Sequence, residues 1–262
     1  MDTLLNEVTA AVREVGELLV ARQGAEPTAA TTLPEALAAF EEVDGPASAL
    51  LRERLTALRP RAGWVPGELE TRVPGEGEWW LCDATDGAVQ YLLGLPHWAV
   101  TATLLREGEA VLSVVHAPRA GQTYTALRGG GAWLNGRRIR PSERELAAAV
   151  VCTSQPPTAA GQPVVLRRAG ESLALVLGSV LAVRNLGPTA LQVAQVGSGH
   201  LDAFWEFGPD AANLLPGALI AAEAGASVSD TAGAPWAPAA TGFLAAAPGQ
   251  REQLLALLGQ VR

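Results

Sequence analysis

The sequence predicts stacked layers of helices and sheets, α+β in its first half and α/β in its second. Three observations predict this: amphipathic stretches at the start, short β-rich segments in the middle, and alternating helical and strand-like segments beyond Ser142. The 262 residues, 48% hydrophobic and 18% charged, suffice for a large core. With no linker or internal repeat, one unit over 1–262 is expected, with halves at 1–142 and 143–262.

Leu4, Leu5, Val8, Val12, Val15, Leu18 and Leu19 recur at helical spacing, which predicts a first helix ending near Gly24. After a loop, "PASALLRERLTALRP" aligns Leu50, Leu51, Leu55 and Leu58 and stops at Pro60, so Asp44 is expected to precede this second helix. The segments "WWLCD", "HWAVTATLL", "EAVLSVVHAP", "QTYTAL" and "GAWL" then read as an antiparallel sheet, with Asn135-Gly136 as its clearest hairpin turn. Further on, "AAVVCTSQP" and "TGFLAAAP" read as strands. "ESLALVLGSVLAV" reads as a helix, or a helix running into a strand, whereas "NLLPGALIAAEAG" and "REQLLALLGQVR" read as helices.

The formal charge of -8 comes with no basic stripe, which argues against a nucleic-acid duplex or an anionic membrane as partner. The N-terminus is acidic where a signal peptide is basic, and no apolar run approaches membrane-spanning length; a cytoplasmic protein is expected. Two cysteines, Cys82 and Cys152, form no C-x-x-C pair, so reduced, buried thiols are expected.

Chemistry concentrates in "DATDGA", residues 83 to 88. Asp83 and Asp86 are expected to offer hard anionic oxygens across a tight turn that exposes the Thr85 carbonyl between them, a donor set suited to a divalent cation. Gly87 permits close backbone approach to a ligand, and helix N-H groups beginning there would suit a phosphate. Taken alone, D-x-x-D-G reads first as an Asp-Gly turn in which Asp86 caps a helix; further acidic residues lift the cation reading above it. Glu68, Asp44 and Glu206 add carboxylates, and convergence of several would form a site for one to three Mg²⁺ ions.

"GEL" at 67–69, "DATDGA" followed by "GLP", "VVHAP", "TYTALRGGGAWLNGRRI", "RNLGPTALQVAQVGSGHLDAFWE" and "EAGA" together resemble the inositol monophosphatase family of Mg²⁺-dependent phosphomonoesterases. The resemblance spans nearly the whole chain and implies a layered αβαβα sandwich, antiparallel in the first half and mixed in the second. It also implies a small phosphorylated metabolite as substrate, whether a sugar, inositol or nucleotide phosphate, and a homodimer, the family's common assembly. By the same resemblance Glu68, Asp83 and Thr85 hold a first Mg²⁺, Asp83 and Asp86 reach a second, and Asp44 serves a third. Gly87 and Ala88 receive the phosphate, Glu206 meets the substrate alcohol, and Arg184 matches a pocket-region landmark.

Three positions depart from the family pattern. Ala88 replaces a Ser or Thr that helps orient the attacking water, and Leu69 replaces the second acid of G-E-E. Asn213 stands where an Asp completes the second cation site, as counts from Glu206 and from Glu223 both give. Asn213 can ligate through its carbonyl oxygen, and it also reads as the N-cap of the following helix; Asp210, one turn upstream, replaces the missing acid if its loop turns inward. Two functions follow: a working phosphatase with Glu68, Asp83 and Asp86 as catalytic residues, or an impaired homologue that binds a phosphorylated ligand or regulates. "GSGH" at 197–200 and "GGG" at 129–131 read as turns, and His97 and His116 as isolated sheet residues.

Overall fold

A computed structural model of the chain describes residues 3–24, 26–66 and 73–262. Glu68 and Leu69 therefore lie outside the described residues. The first sheet has seven strands in sequential order: β1 (Gly63–Trp64), β2 (Glu78–Asp86), β3 (Ala99–Arg106), β4 (Glu109–Ala117), β5 (Gln122–Leu127), β6 (Gly131–Leu134) and β7 (Arg137–Arg138). Only the β1–β2 pairing is parallel. Asn135 and Gly136, both at positive φ, turn β6 into β7, because the primed hairpin turn demands left-handed backbone that Asn and Gly accept. The second sheet is mixed and contains β8 (Val150–Thr153), β9 (Ala182–Arg184), β10 (Ala203–Phe207), β11 (Ser227–Ser229) and β12 (Gly242–Ala246), ordered β11-β12-β10-β8-β9.

Helices occupy three layers. The first, α1 (Thr3–Arg22) and α2 (Leu33–Leu58), covers one face of the first sheet, where Leu5, Val12, Leu51 and Leu55 pack on Trp80, Ala84, Val100 and Ala102. A short α3 (Ala88–Leu92) follows β2, and α4 (Pro163–Leu177) and the final helix, α7 (Arg251–Leu258), lie on the outer face of the second sheet with Val151, Trp205 and Leu244. Between the sheets sit α5 (Thr189–Gly197) and α6 (Ala211–Ala224). Because α6 meets both sheets, it is apolar nearly all round rather than striped. Gly217 lets α5 approach it: a Cβ there would fall 2.6 Å from the Ala190 carbonyl oxygen. These layers form the expected αβαβα sandwich.

Two helix boundaries differ from the sequence expectation. Helix α2 begins at Leu33, so Asp44 lies within it rather than ahead of it. The cause is a capping box: Thr32 Oγ1 accepts from the Glu35 N-H, and the Glu35 carboxylate accepts from the Thr32 N-H. Helix α6 begins at Ala211 with Asp210 as N-cap, which puts Asn213 in its first turn instead of at the cap. His97 lies in the loop before β3, not on a strand, whereas His116 is on β4. The turns hold: Gly129–Gly131 joins β5 to β6, with the Gly129 and Gly131 N-H groups donating to Glu223, and Ser198–His200 follows α5.

Candidate functional site

Strand β2 brings the two aspartates together by an irregularity. Side chains in a regular strand alternate faces, so residues 83 and 86 would point to opposite sides. Here Asp83 pairs with Thr101 and Asp86 with Ala99, so three steps on β2 oppose two on β3. That bulge returns Asp86 to the face of Asp83. The shared face looks toward α5 and α6, since Leu81 and Ala99 on it pack against Ala190, Ala212 and Leu215. Trp80, Cys82 and Ala84 face α1 and α2.

A cavity of about 10 Å³ opens there, lined by Asp83, Asp86, Thr101, Ala190, Asn213 and Pro216 among others. Its volume is close to that of one water-sized occupant. Asp86 is buried; the Asp83 N-H donates to Thr101 Oγ1 at 3.2 Å, and Asp83 Oδ1 accepts from the Thr85 N-H at 2.7 Å. The polar residues lining the cavity carry two carboxylates, an amide and a hydroxyl, oxygen chemistry that suits a single small, hard cation. Among the described residues no group of three or more His, Cys, Asp or Glu side chains forms a metal cluster.

Asp44 is tied to the same strand. Thr85 Oγ1 donates to its Oδ1 at 3.0 Å, and Ser48 Oγ donates to its Oδ2 at 2.9 Å. With Asp83, Asp44 lines an adjoining larger cleft that also includes Ser48, Arg52 and Trp64. The Arg52 guanidinium sits 4.2 Å from the Trp64 ring centroid, a cation–π contact that the sequence reading missed. Thr101 was missed too, although alternation in "TATLL" places it on the Ala99 face.

Gly87 adopts left-handed backbone, φ 94°, and caps α3, whose first residue is Ala88. A side chain at 87 would press on the His97 carbonyl oxygen at 3.0 Å and on Trp98, so glycine is needed for both conformation and space. Ala88 contributes no hydroxyl. Gln90 anchors α3 to the loop before α5 through a 3.3 Å bond to the Leu186 carbonyl.

The remaining expected site residues do not line this cavity. Arg184 is exposed on edge strand β9, where its guanidinium donates to the Val183 carbonyl. Glu206 is fully buried on β10, on the face of Phe204 and against the α5–α6 layer. Burial, and next the neighbouring Asp210, hold its carboxyl well above the usual carboxylate range. Asp210 is 5% exposed, so its loop does turn inward. It meets Asn213, whose Nδ2 donates to Asp210 Oδ1 at 2.7 Å. Both thiols are unpaired, and burial pushes them up, Cys152 to about 12. No described helix is long and apolar enough to cross a membrane.

Two sheets, a central helical layer and a small cavity lined by two aspartates at a bulged strand end form the scaffold, and comparison with known proteins identifies the family to which it belongs. The model of the inositol monophosphatase family matches residues 1–262, and the chain belongs to that family. It is 34% identical over 236 residues to an inositol-1-monophosphatase of Rhizobium meliloti (strain 1021), covering 88% of this chain and 86% of that protein. To the Nus factor SuhB of Pseudomonas aeruginosa it is 31% identical over 237 residues, covering 89% and 87%. Among solved structures, the extragenic suppressor protein suhB of Bartonella henselae superimposes with a TM-score of 0.81 at 26% identity, over 98% of this chain and all of that one. An inositol monophosphatase from Anabaena gives 0.84 over 99% and 96%; at 22% identity it speaks for the fold alone.

Proposed function

We propose that this chain is a Mg²⁺-dependent phosphomonoesterase acting on a small phosphorylated metabolite, a sugar, inositol or nucleotide phosphate, in the cytoplasm. The observation that carries the reading is the bulge in β2, which turns Asp83 and Asp86 onto one face, toward Asn213. Their oxygens suit Mg²⁺, which when bound supplies Lewis-acid charge to the phosphoryl oxygens and acidifies water. In this reading Asp83 and Asp86 hold the cation, with the Thr85 carbonyl and Glu68 extending the site and Asp44 serving a looser position beyond Thr85.

The phosphate rests against the Gly87 and Ala88 N-H groups. A water attacks phosphorus as its proton passes to Glu68, the bond to the alcohol oxygen breaks, and that oxygen takes a proton from solvent. Glu206 and Arg184, neither on the cavity wall, are assigned to the substrate side only through the family resemblance.

A second reading is a homologue that binds a phosphorylated ligand with little turnover, or regulates. Ala88 and Asn213 favour it, since one removes an orienting hydroxyl and the other a ligand charge. Loss of one preorganised group slows catalysis by about 10²–10³. Relatives named Nus factor SuhB are consistent with such a role.

Phosphate release from a panel of sugar, inositol and nucleotide phosphates, with and without Mg²⁺, separates the two. Turnover on the order of 1 s⁻¹ or faster supports the enzyme. Binding of a panel member without turnover supports the second reading.

A further inference from the structure

Asp210 and Asn213 hold an arrangement that neither the cap nor the ligand reading of a lone residue explains. Asp210 is the N-cap of α6, yet its side chain makes no capping bond to the backbone N-H groups of the first turn. It reaches instead to the side chain of Asn213, three residues on, with Nδ2 donating to Oδ1 at 2.7 Å. An N-cap aspartate ordinarily stabilises its helix through that backbone bond. Here that bond is replaced by one that orients a side chain. Asp210 is nearly fully buried and does not line the cavity with Asp83 and Asp86, whereas Asn213 does.

The amide of Asn213 is planar and has two ends: an amino group that only donates and a carbonyl that only accepts. Its amino end faces the carboxylate, which fixes the amide's rotation. The carbonyl Oδ1 is then the end available to the cavity.

We propose that Asp210 is a positioning residue whose hydrogen bond to the Asn213 amino group orients that amide, so that the Asn213 carbonyl oxygen serves the cation site shared with Asp83 and Asp86. Outer partners of this kind fix ligand orientation and basicity, and their loss commonly weakens metal affinity about 10- to 100-fold. The inference rests on the proposed cation site. It differs from the sequence expectation that Asp210 itself replaces the missing acid.

It also predicts what restoring an acid at 213 does. Asn213→Asp alone sets a carboxylate against Asp210, with Glu206 close by, and forfeits the hydrogen bond. The exchange Asp210→Asn with Asn213→Asp keeps the bond in reverse, because the new amide at 210 donates to the new carboxylate.

The test is a Mn²⁺ titration of the purified full chain, free Mn²⁺ read by electron paramagnetic resonance, with the thermal midpoint recorded for every variant. Asp210→Ala is expected to weaken binding about 10- to 100-fold, Asn213→Ala to match it, and the two together to add little. Asp210→Asn, nearly isosteric and still an acceptor for the Asn213 amide, retains most of the affinity. The exchange variant binds at least as tightly as wild type, and Asn213→Asp alone does not. Wild-type affinity in Asp210→Ala, with only the thermal midpoint lowered, overturns the inference; so does an Asp210→Asn loss as deep as that of Asp210→Ala, which marks a direct ligand. Wild-type protein that binds no Mn²⁺, or binding unchanged by Asp83→Asn, overturns the proposed cation site itself.

Discussion

Asp202 and Glu206 stand four residues apart at one end of β10 and within it, both fully buried, and the structure treats them oppositely. Asp202 is surrounded by donors. Ser142 Oγ and Arg144 Nε donate to its Oδ1, the latter at 2.9 Å, and the Val150 N-H donates to its Oδ2 at 2.7 Å. Glu206 faces a second acid, Asp210, and its carboxyl is held well above the usual range by burial and then by that neighbour. Burial of an acid is therefore no marker of function. What separates the two is the surroundings: Asp202 is matched by donors, whereas Glu206 meets a second acid.

The largest effect that can break this contrast is at Asp202. Asp202→Ala leaves the Val150 N-H and the Arg144 Nε-H without their acceptor, and stability to urea is expected to fall by about 3 kcal/mol. The lower end of the range applies because Arg144 is 42% exposed. A loss below about 1 kcal/mol contradicts the structural role.

Glu206 is expected to behave the other way. Its folded-state value lies above the ordinary 4.5, so the folded state binds a proton that the unfolded state has released. Its contribution is neutral below pH 4.5 and increasingly destabilising as pH rises toward the folded value. The slope is at most about 1.4 kcal/mol per pH unit. Stability curves of chelator-treated wild type and Glu206→Gln should diverge as pH rises, with the variant gaining. Parallel curves would show that Glu206 is not held protonated.

The smallest effect is at Ser142. Its hydroxyl is one of several donors to Asp202, so Ser142→Ala should cost about 1 kcal/mol in the same urea measurement. A cost equal to that of Asp202→Ala would mean that the donors act as one unit.

Patterns with a local cause were readable in the sequence. The stripe of α1, the short β-rich segments that became β2 to β6, the Asn135-Gly136 turn and the left-handed Gly225 that ends α6 each follow from a few neighbouring residues. The start of α2 was also written locally, in the Thr32–Glu35 capping box, and was overlooked when the helix was read from Pro46 onward. What could not be read depends on tertiary contact. Helix α5 is buried at nearly every position, the polar Thr189 and Gln192 included, and only its place between the two sheets explains that. The bulge between Asp83 and Asp86 exists only in pairing with β3; "DATD" alone does not reveal that its acids share a face. Asp210 and Asn213 are both good caps, and only the packed start of α6 decides between them.

The most direct test of the central claim is Mg²⁺-dependent phosphate release by wild type and Asp83→Asn on the same substrate panel, with folding checked by circular dichroism. The account predicts release that requires Mg²⁺ and falls by at least about 10³-fold in the variant. Release that is indifferent to Mg²⁺, or that survives in folded Asp83→Asn, would contradict it.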